Sequence, residues 1–281
     1  KEAPGSPRRR PAGPRAGLRE AARAMAEAQE PRAKRPRATA EPGVMLVTGA
    51  SSGVGAHLVR HFAAKGWQVA ALARDAGKLE ALCGPLGGKA KAYTCDVANR
   101  EAVVATVAAV LRDMGKVDVL VPNAAQAHDA KPFWELTLED VDRVLDVNLK
   151  GTMYITHCVL QDMVKRNSGR IIAIASVAGT WGIPKESCYV ASKHGMVGFM
   201  DSVANDTRGT DICVTTLCPG GIDTPWWTKD HPYGKDQNHD DGTTSGLIQT
   251  QEMVDIVEFQ LDQPTNRVWK RVIFFPKGEW H

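Results

Sequence analysis

The sequence lacks the cysteine and histidine spacings of common metal sites and disulfide frameworks. Six Cys and eight His occur among 281 residues, but there is no CxxC and no HExxH. This absence argues against a zinc site and against a disulfide-stapled fold, and no metal is predicted. Because the cysteines lie within apolar runs, we expect small buried thiols in a reducing compartment, which favours a cytoplasmic location.

Long uninterrupted hydrophobic segments are also missing. No window approaches the roughly 18 apolar residues that a membrane-spanning helix needs, and the longest apolar runs have the length of a strand. Hydrophobic residues make up 43% of the chain and charged residues 24%, which excludes collagen-like and fully disordered chains. The composition predicts a soluble body without a membrane span.

Residues 1–42 differ in composition from the rest of the chain. They hold eleven Lys and Arg against five Glu, seven prolines and one large aliphatic residue, Leu18. Such a segment buries too little apolar surface to offset the entropy lost on ordering, so we predict a disordered basic leader. The other 239 residues, with 24 basic and 27 acidic side chains, carry −3, so the overall charge of +3 does not describe the body.

The role of this leader stays open. The basic runs at 8–10 and 34–37 are compatible with nuclear import or an acid-binding arm, and residues 17–30 with an organelle-targeting helix. A solvated leader is favoured because acids interrupt the positive face: Glu20, Glu27 and Glu30. Met25 is a plausible start, which would place residues 1–24 upstream of the protein.

From residue 43 onward, short β-branched runs alternate with helical patterns. Strands are predicted at 44–48, 68–73, 90–95, 117–121, 170–176, 211–217 and 268–275. Helices are predicted at 53–65, 76–83, 101–114, 137–166, 187–207 and 250–262. Most strand runs are apolar throughout, as in a sheet covered on both faces. We therefore predict one α/β domain over residues 43–281: a Rossmann-type doubly wound parallel sheet of about seven strands.

A glycine-rich turn joins the first predicted strand to the first helix. The segment 48–55 reads TGASSGVG. Glycines allow the backbone to approach a pyrophosphate, and the free N–H groups and positive dipole end of the helix attract it. We expect a dinucleotide to be held by Gly49, Ser51, Ser52, Gly53, Val54 and Gly55.

The end of the second strand favours NADP over NAD. A NAD-specific site places an acid there to accept hydrogen bonds from the adenosine ribose, whereas this chain has Ala73 followed by Arg74. The guanidinium of Arg74 suits a 2′-phosphate. The usual second basic residue within the glycine loop is replaced by Ser52, and an Arg74 that is merely a solvated strand end is the alternative.

Three residues have a spacing that suits proton transfer. Tyr189 and Lys193 are four residues apart, which places the phenol and the ammonium on one face of a helix, and Ser176 ends a strand thirteen residues earlier. Together with the glycine turn, this pattern resembles the short-chain dehydrogenase/reductase family over about residues 44–278. Gly49, Gly53 and Gly55 match its TGxxxGxG, and Tyr189 with Lys193 its YxxxK.

The resemblance implies further site residues. Asn148 corresponds to the asparagine of the family's catalytic tetrad, and Asp96 with Val97 to an adenine contact. The segment 219–224 fits a PGxxxT motif that holds the carboxamide, with Pro219, Gly220, Ile222 and Thr224 as cofactor contacts. The family's NNAG reads PNAA here: Asn123 and Ala124 fit, while Pro122 removes a backbone donor and Ala125 adds a methyl group.

The resemblance also implies a mechanism. Lys193, about 4 Å from the phenol, would favour phenolate by roughly 4 kcal/mol at an effective dielectric near 20, before desolvation opposes it. Tyr189 would then be the general acid/base and Ser176 would hold the substrate oxygen. Lys193 would also bind the nicotinamide ribose, and Asn148 would hold a water molecule. Hydride would move between nicotinamide and a carbonyl or secondary alcohol.

Residues 224–248 are expected to form a substrate lid. Aromatic side chains could cap an apolar or aromatic substrate or only pack the lid onto the body: Trp226, Trp227, Trp134 and Trp181. His231 and His239 are expected to be solvated. By resemblance, the chain forms a homodimer or homotetramer.

Two other functional classes compete with the enzyme. A binding or structural subunit of a larger assembly is suggested by Pro122 and the basic leader. A complete set of Ser176, Tyr189, Lys193 and Asn148 argues against it, because a scaffold has no need of them. Nucleic-acid binding by the leader has no aromatic interleaving behind it and is not predicted.

Overall fold

A computed structural model describes residues 41–226 and 246–278. Residues 1–40 of the proposed leader, most of the proposed lid, and Trp227, His231 and His239 lie outside the described residues. In the described part, seven strands form one sheet in the order β3-β2-β1-β4-β5-β6-β7, and every neighbouring pair is parallel. The predicted doubly wound α/β fold is confirmed.

The strand bounds agree with the prediction to within a few residues. They are β1 Val44–Thr48, β2 Gln68–Ala73, β3 Ala90–Thr94, β4 Val119–Val121, β5 Gly169–Ile174, β6 Ile212–Pro219 and β7 Arg271–Phe274. Successive residues of β1 point to opposite faces: Met45 and Val47 pack in one core, and Leu46 in the other. Because both faces are covered, the strand is buried at every position and apolar from Val44 to Val47.

Helices cover both faces of the sheet. They are α1 Gly53–Ala64, α2 Ala76–Cys83, α3 Arg100–Met114, α4 Leu138–Leu145, α5 Gly151–Arg166, α6 Ser187–Asp206 and α7 Thr250–Leu261. Short 3₁₀ turns lie at Gly84–Leu86, Phe133–Glu135 and Val177–Gly179. No helix in the described ranges is long and apolar enough to cross a membrane.

The prediction of a single helix over 137–166 is wrong in one respect, because this range forms three consecutive helical segments. Thr137 begins α4 with a capping box: its hydroxyl accepts from the Asp140 N–H, and the Asp140 carboxylate accepts from the Thr137 N–H. A π-helical turn, Asp146–Lys150, then separates α4 from α5. The turn carries Asn148, and such turns are frequent at functional sites.

The topology fixes where a site belongs. The chain runs outward from β1 through β2 to β3, then crosses back so that β4 pairs with β1 on its other side. The connection after β1 therefore leads to one side and the connection after β4 to the other. Between them, a crevice opens at the carboxyl ends of these two strands.

Candidate active site

One cavity of about 640 Å³ occupies this crevice. Its walls come mainly from the carboxyl ends of six strands, β1 to β6, and the segments that follow them. All but one of the predicted cofactor residues line it: Gly49, Ser51, Ser52, Gly53, Val54, Arg74, Asp96, Val97, Asn123, Ala124, Tyr189, Lys193, Pro219, Gly220, Ile222 and Thr224. Gly55 lies behind the wall.

The glycine turn has the geometry of an anion site. Gly49 and Gly53 have φ of +65° and +51°, values that a side chain disfavours. Ser52 caps α1 without a side-chain hydrogen bond, and the first turn of α1 has no acidic residue. The first N–H groups of α1 and its positive dipole end therefore face the cavity without a competing carboxylate on that turn.

Gly55 is required by packing rather than by contact with a ligand. A Cβ built on it would lie 2.3 Å from the Gly49 oxygen and 2.8 Å from Asn123 Nδ2. Gly55→Ala should therefore push the turn apart, cost about 1–3 kcal/mol of unfolding free energy, and weaken nucleotide binding. Urea unfolding and nucleotide titration measure both effects.

Gly198→Ala is the control for that substitution. Gly198 lies within α6, and a Cβ there meets no atom within 4 Å. Alanine in a helix interior should leave stability unchanged or raise it slightly. Equal stability of the two variants would contradict the packing role of Gly55.

The departure at Pro122 leaves the turn after β4 anchored. The N–H groups of Asn123 and Ala124 both donate to Thr48 Oγ1 at 3.0 Å, and Asn123 Nδ2 donates to the Thr48 carbonyl at 2.9 Å. Pro122 follows the last residue of β4, and its carbonyl accepts from the Ile174 N–H at 2.9 Å. The proline supplies no N–H to the ladder with β5, but its carbonyl still joins the two strands.

Arg74 reaches across the cavity to Gln126. When the Gln126 amide is assigned with its oxygen facing Arg74, that oxygen accepts from both terminal nitrogens of the guanidinium, at 2.9 and 2.5 Å. Lys78 also lines the cavity and lies 3.3 Å from the Asp75 carboxylate. Arg74 is exposed to solvent and also lines the cavity, and Lys78 is a second cation in that wall that was not predicted from the sequence.

Ser176, Tyr189 and Lys193 meet at the opposite end of the cavity. Ser176 Oγ accepts from the Ala178 N–H at 3.1 Å, and its hydroxyl lies close enough to Tyr189 to lower the pKa of the phenol. Lys193 is 2% exposed, and its Nζ donates to the Ile174 carbonyl at 3.1 Å and lies 5.6 Å from the Tyr189 ring centre. The segment after β5, which carries Ser176, and helix α6, which carries Tyr189 and Lys193, therefore meet as the spacing predicted.

The charges differ from the expectation. Burial raises the pKa of Tyr189, the Ser176 hydrogen bond opposes that rise, and the Glu186 carboxylate adds to it. Burial lowers the pKa of Lys193 to about 8. The pKa of the phenol is therefore raised here rather than lowered, and desolvation is the largest cause.

Asn148 lies next to the cavity rather than in its wall. It is fully buried, its Oδ1 accepts from the Gln126 N–H at 2.7 Å, and its Nδ2 donates to the Gln126 carbonyl and to Ser192 Oγ. These bonds tie the π-helical turn to the segment after β4 and to α6. In this geometry the Asn148 side chain fixes the backbone of Gln126.

The sequence profile described as short chain dehydrogenase matches residues 43–233. This chain belongs to the short-chain dehydrogenase family. It is 36% identical over 192 residues to the 3-oxoacyl-[acyl-carrier-protein] reductase of Thermotoga maritima, which covers 67% of this chain and 78% of the relative. It is 38% identical over 179 residues to the D-threitol dehydrogenase of Mycolicibacterium smegmatis, covering 63% and 68% respectively.

Solved structures support the same assignment. A closed form of serine dehydrogenase complexed with NADP⁺ has a TM-score of 0.77 at 29% identity, covering 85% of this chain and 96% of that chain. An actinorhodin polyketide ketoreductase variant with NADPH has a TM-score of 0.76 at 32% identity, covering 85% and 98%. The chain therefore has the Rossmann-type fold of the short-chain dehydrogenases, which are a family of oxidoreductases.

The three described tryptophans that were expected to cap a substrate in this short-chain dehydrogenase have different surroundings. Trp226 lines the cavity, with its ring centre 5.6 Å from that of Tyr189. Trp181 is not a wall residue and stacks on Phe275 at 5.0 Å. Trp134 is 84% exposed and also lies outside the cavity wall. Only Trp226 among these three is placed to contact a substrate.

Glu186 lies in the wall of this cavity and was not predicted from the sequence. Glu186 is 6% exposed, and burial raises the pKa of its carboxyl to about 7. Its position three residues before Tyr189, on the same helical face, was the available signal. The cavity therefore holds an acid beside the phenol.

The raised pKa of Glu186 predicts a pH-dependent stability. The folded state keeps the proton that the unfolded state releases above about pH 4.5, so this contribution to stability is lost as the pH rises toward about 7. Wild type should lose up to about 3 kcal/mol over that range relative to Glu186→Gln. Urea unfolding at several pH values measures the difference.

Glu80→Gln, which changes an exposed carboxyl on α2, is the matched control and should follow the wild-type pH dependence. Parallel pH profiles for wild type and Glu186→Gln would show that Glu186 is not protonated in the folded protein.

Proposed function

We propose that this short-chain dehydrogenase is an NADP(H)-dependent oxidoreductase that acts on a carbonyl/secondary alcohol pair, with Tyr189 as general acid/base. The observation that carries the proposal is one cavity with a built anion site at one end and Ser176, Tyr189 and Lys193 at the other. NADP-dependent relatives, such as the NADP-dependent 3-hydroxy acid dehydrogenase of Shigella flexneri, 36% identical over 177 residues, support it.

The residues present fit NADP(H). The uncapped start of α1 and the glycine turn would receive the pyrophosphate, Arg74 and Lys78 the 2′-phosphate, and Asp96 with Val97 the adenine. Near Tyr189, the segment 219–224 would hold the carboxamide, as the family resemblance implies. When bound, the cofactor supplies or accepts the hydride.

The protein's own residues handle the proton. In the reducing direction, Ser176 holds the substrate oxygen and Tyr189 gives its hydroxyl proton to that oxygen. Lys193 stabilises the phenolate that results, because its ammonium is the cation nearest to the phenol among the cavity-lining residues. In oxidation the same proton moves back. The pKa of Lys193, about 8, keeps much of the ammonium charged at neutral pH.

The remaining features fit the same proposal. Trp226 and Ile183 give the substrate end an apolar wall, so we infer an apolar or aromatic carbonyl substrate, with the proposed lid over it. We propose a homodimer or homotetramer on the family resemblance. A purely structural role is disfavoured, because the anchors of Asn123 are intact and the proton-transfer residues share one cavity.

A panel of ketones and aldehydes assayed with NADPH and NADH tests the proposal. Consumption of the reduced nicotinamide is expected with at least one carbonyl, and faster with NADPH. NADPH binding without turnover of any carbonyl in the panel would favour the structural subunit.

A further inference from the structure

A bridge of two side chains, Arg74 and Gln126, joins the segments that follow β2 and β4. Arg74 comes directly after β2, and Gln126 lies in the segment after β4. Strand β1 lies between these two strands in the sheet, and both residues line the same cavity as the glycine turn that follows β1. The bridge therefore connects the two walls on either side of the turn that is proposed to receive the pyrophosphate.

The Gln126 amide contacts the guanidinium through its oxygen. The amide atom that faces Arg74 lies 2.9 and 2.5 Å from its two terminal nitrogens. A guanidinium has donors and no acceptor, so the facing atom is assigned as the oxygen rather than the nitrogen. Both terminal nitrogens of Arg74 are then engaged by one neutral acceptor.

Both ends of the bridge start from a backbone that is held by hydrogen bonds. The Gln126 N–H donates to Asn148 Oδ1 at 2.7 Å, and the Gln126 carbonyl accepts from Asn148 Nδ2 at 2.9 Å. The Ala73 carbonyl, one residue before Arg74, accepts from the Cys95 N–H at 2.9 Å. The Gln126 side chain is thus presented to Arg74 from a segment that a fully buried asparagine holds.

The acid next to Arg74 is paired with a different cation. Asp75 accepts from the Lys78 N–H at 3.0 Å, and its carboxylate lies 3.3 Å from Lys78 Nζ. A phosphate dianion is a stronger partner for a guanidinium than a neutral amide is. The 2′-phosphate of NADP would therefore draw the exposed Arg74 side chain away from Gln126. NAD has no such phosphate and would leave the bridge in place.

We propose that Gln126 is a specificity-determining residue that competes with the 2′-phosphate for Arg74. The inference rests on the proposed function and deepens it, because NADP(H) has to break the bridge on binding and NAD(H) does not. The apparent affinity for NADP is lowered by the fraction of molecules in which Gln126 holds Arg74. Gln126 therefore narrows the preference for NADP that Arg74 creates.

Two substitutions change the bridge in opposite directions. Gln126→Met removes the acceptor at nearly the same side-chain length, so the ratio of NADP⁺ to NAD⁺ affinity should rise about three- to tenfold, the scale of one hydrogen bond. Gln126→Glu introduces an anion that holds Arg74 more strongly and repels the phosphate, so the ratio should fall at least about tenfold. Calorimetric titration of the full chain with each nucleotide measures the ratios, and circular dichroism checks that each variant is folded.

A double-mutant cycle isolates the contact with Arg74. In the Arg74→Ala background, Gln126→Met should leave the ratio unchanged within about twofold, because no guanidinium remains to be released. Adenosine 2′,5′-bisphosphate and adenosine 5′-monophosphate, which differ only in the 2′-phosphate, should show the same changes as NADP⁺ and NAD⁺. Gln251→Met is the matched control, because this exposed glutamine on α7 bonds to Asp255 and is not part of the cavity wall. Its ratio should equal that of wild type.

The outcomes are distinguishable. A ratio that falls in Gln126→Met would show that Gln126 presents Arg74 to the phosphate, and an equal change in affinity for both nucleotides would show no role in specificity; either overturns the inference. An unchanged ratio in Gln126→Glu overturns it as well, even if Gln126→Met fails to fold. Binding of neither nucleotide rejects both the inference and the proposed function. The expected ratios without NADPH consumption by any carbonyl would support the role of Gln126 and reject the proposed activity, whereas turnover with unchanged ratios rejects the role of Gln126 alone.

Discussion

Tyr189→Phe should lower turnover by at least about a hundredfold while nucleotide affinity stays within a few fold. The substitution removes one hydroxyl, and general acid/base catalysis typically contributes a factor on this scale. The ring remains to pack against Trp226, whose ring centre lies 5.6 Å away. Single-turnover reduction of a carbonyl from the panel, together with titration of NADPH, measures the two quantities.

Tyr93→Phe is the matched control for Tyr189→Phe. Tyr93 is a second tyrosine with a partly buried hydroxyl, on β3. Its hydroxyl donates to the Asp113 carboxylate at 3.0 Å, and the residue is not part of the cavity wall. Its loss should leave turnover near the wild-type value, although it removes a hydrogen bond. Turnover of Tyr189→Phe within threefold of wild type would reject Tyr189 as the acid/base.

Arg74→Ala should erase most of a preference for NADP over NAD. A charge-assisted contact between the guanidinium and a 2′-phosphate is worth about 1.5–3 kcal/mol, or roughly tenfold to more than a hundredfold in relative affinity. Ala73→Asp should reverse the preference, because a carboxylate at the end of β2 repels the phosphate and accepts from the ribose hydroxyls. Titration of both oxidised cofactors against each variant measures the ratio.

Arg112→Ala controls for a general loss of positive charge. Arg112 lies on α3, its side chain is 71% exposed, and it is not part of the cavity wall. Its loss should leave the NADP/NAD ratio unchanged. Equal affinities of wild type for the two cofactors, or a ratio that Arg74→Ala does not change, would mean that Arg74 serves only its contact with Gln126.

The sheet was predictable because strands buried at every position, such as β1 and β6, are composed mostly of apolar residues. The glycine turn and the Tyr189/Lys193 pair were predictable because local backbone geometry fixes them. The π-helical turn at Asn148 was not, since its cause is tertiary: the Asn148 amide bonds to Gln126 and Ser192.

Contacts between segments that are distant in the sequence could not be predicted either. Gln126 meets Arg74 only because β4 lies beside β1, and no local pattern marks that pairing. The direction of the Tyr189 pKa shift needed the burial of the phenol, which spacing does not give. Glu186 differs from these, because its distance of three residues from Tyr189 was visible in the sequence.

The central claim is that this cavity transfers a hydride while Tyr189 transfers a proton. Reduction of a panel ketone with NADPH deuterated at nicotinamide C4, followed by mass spectrometry of the alcohol, tests it most directly. The account predicts one deuterium on the carbinol carbon from one of the two C4-deuterated forms, and loss of that product in Tyr189→Phe. An alcohol without deuterium from either form, or full labelling in Tyr189→Phe at the wild-type rate, would contradict it.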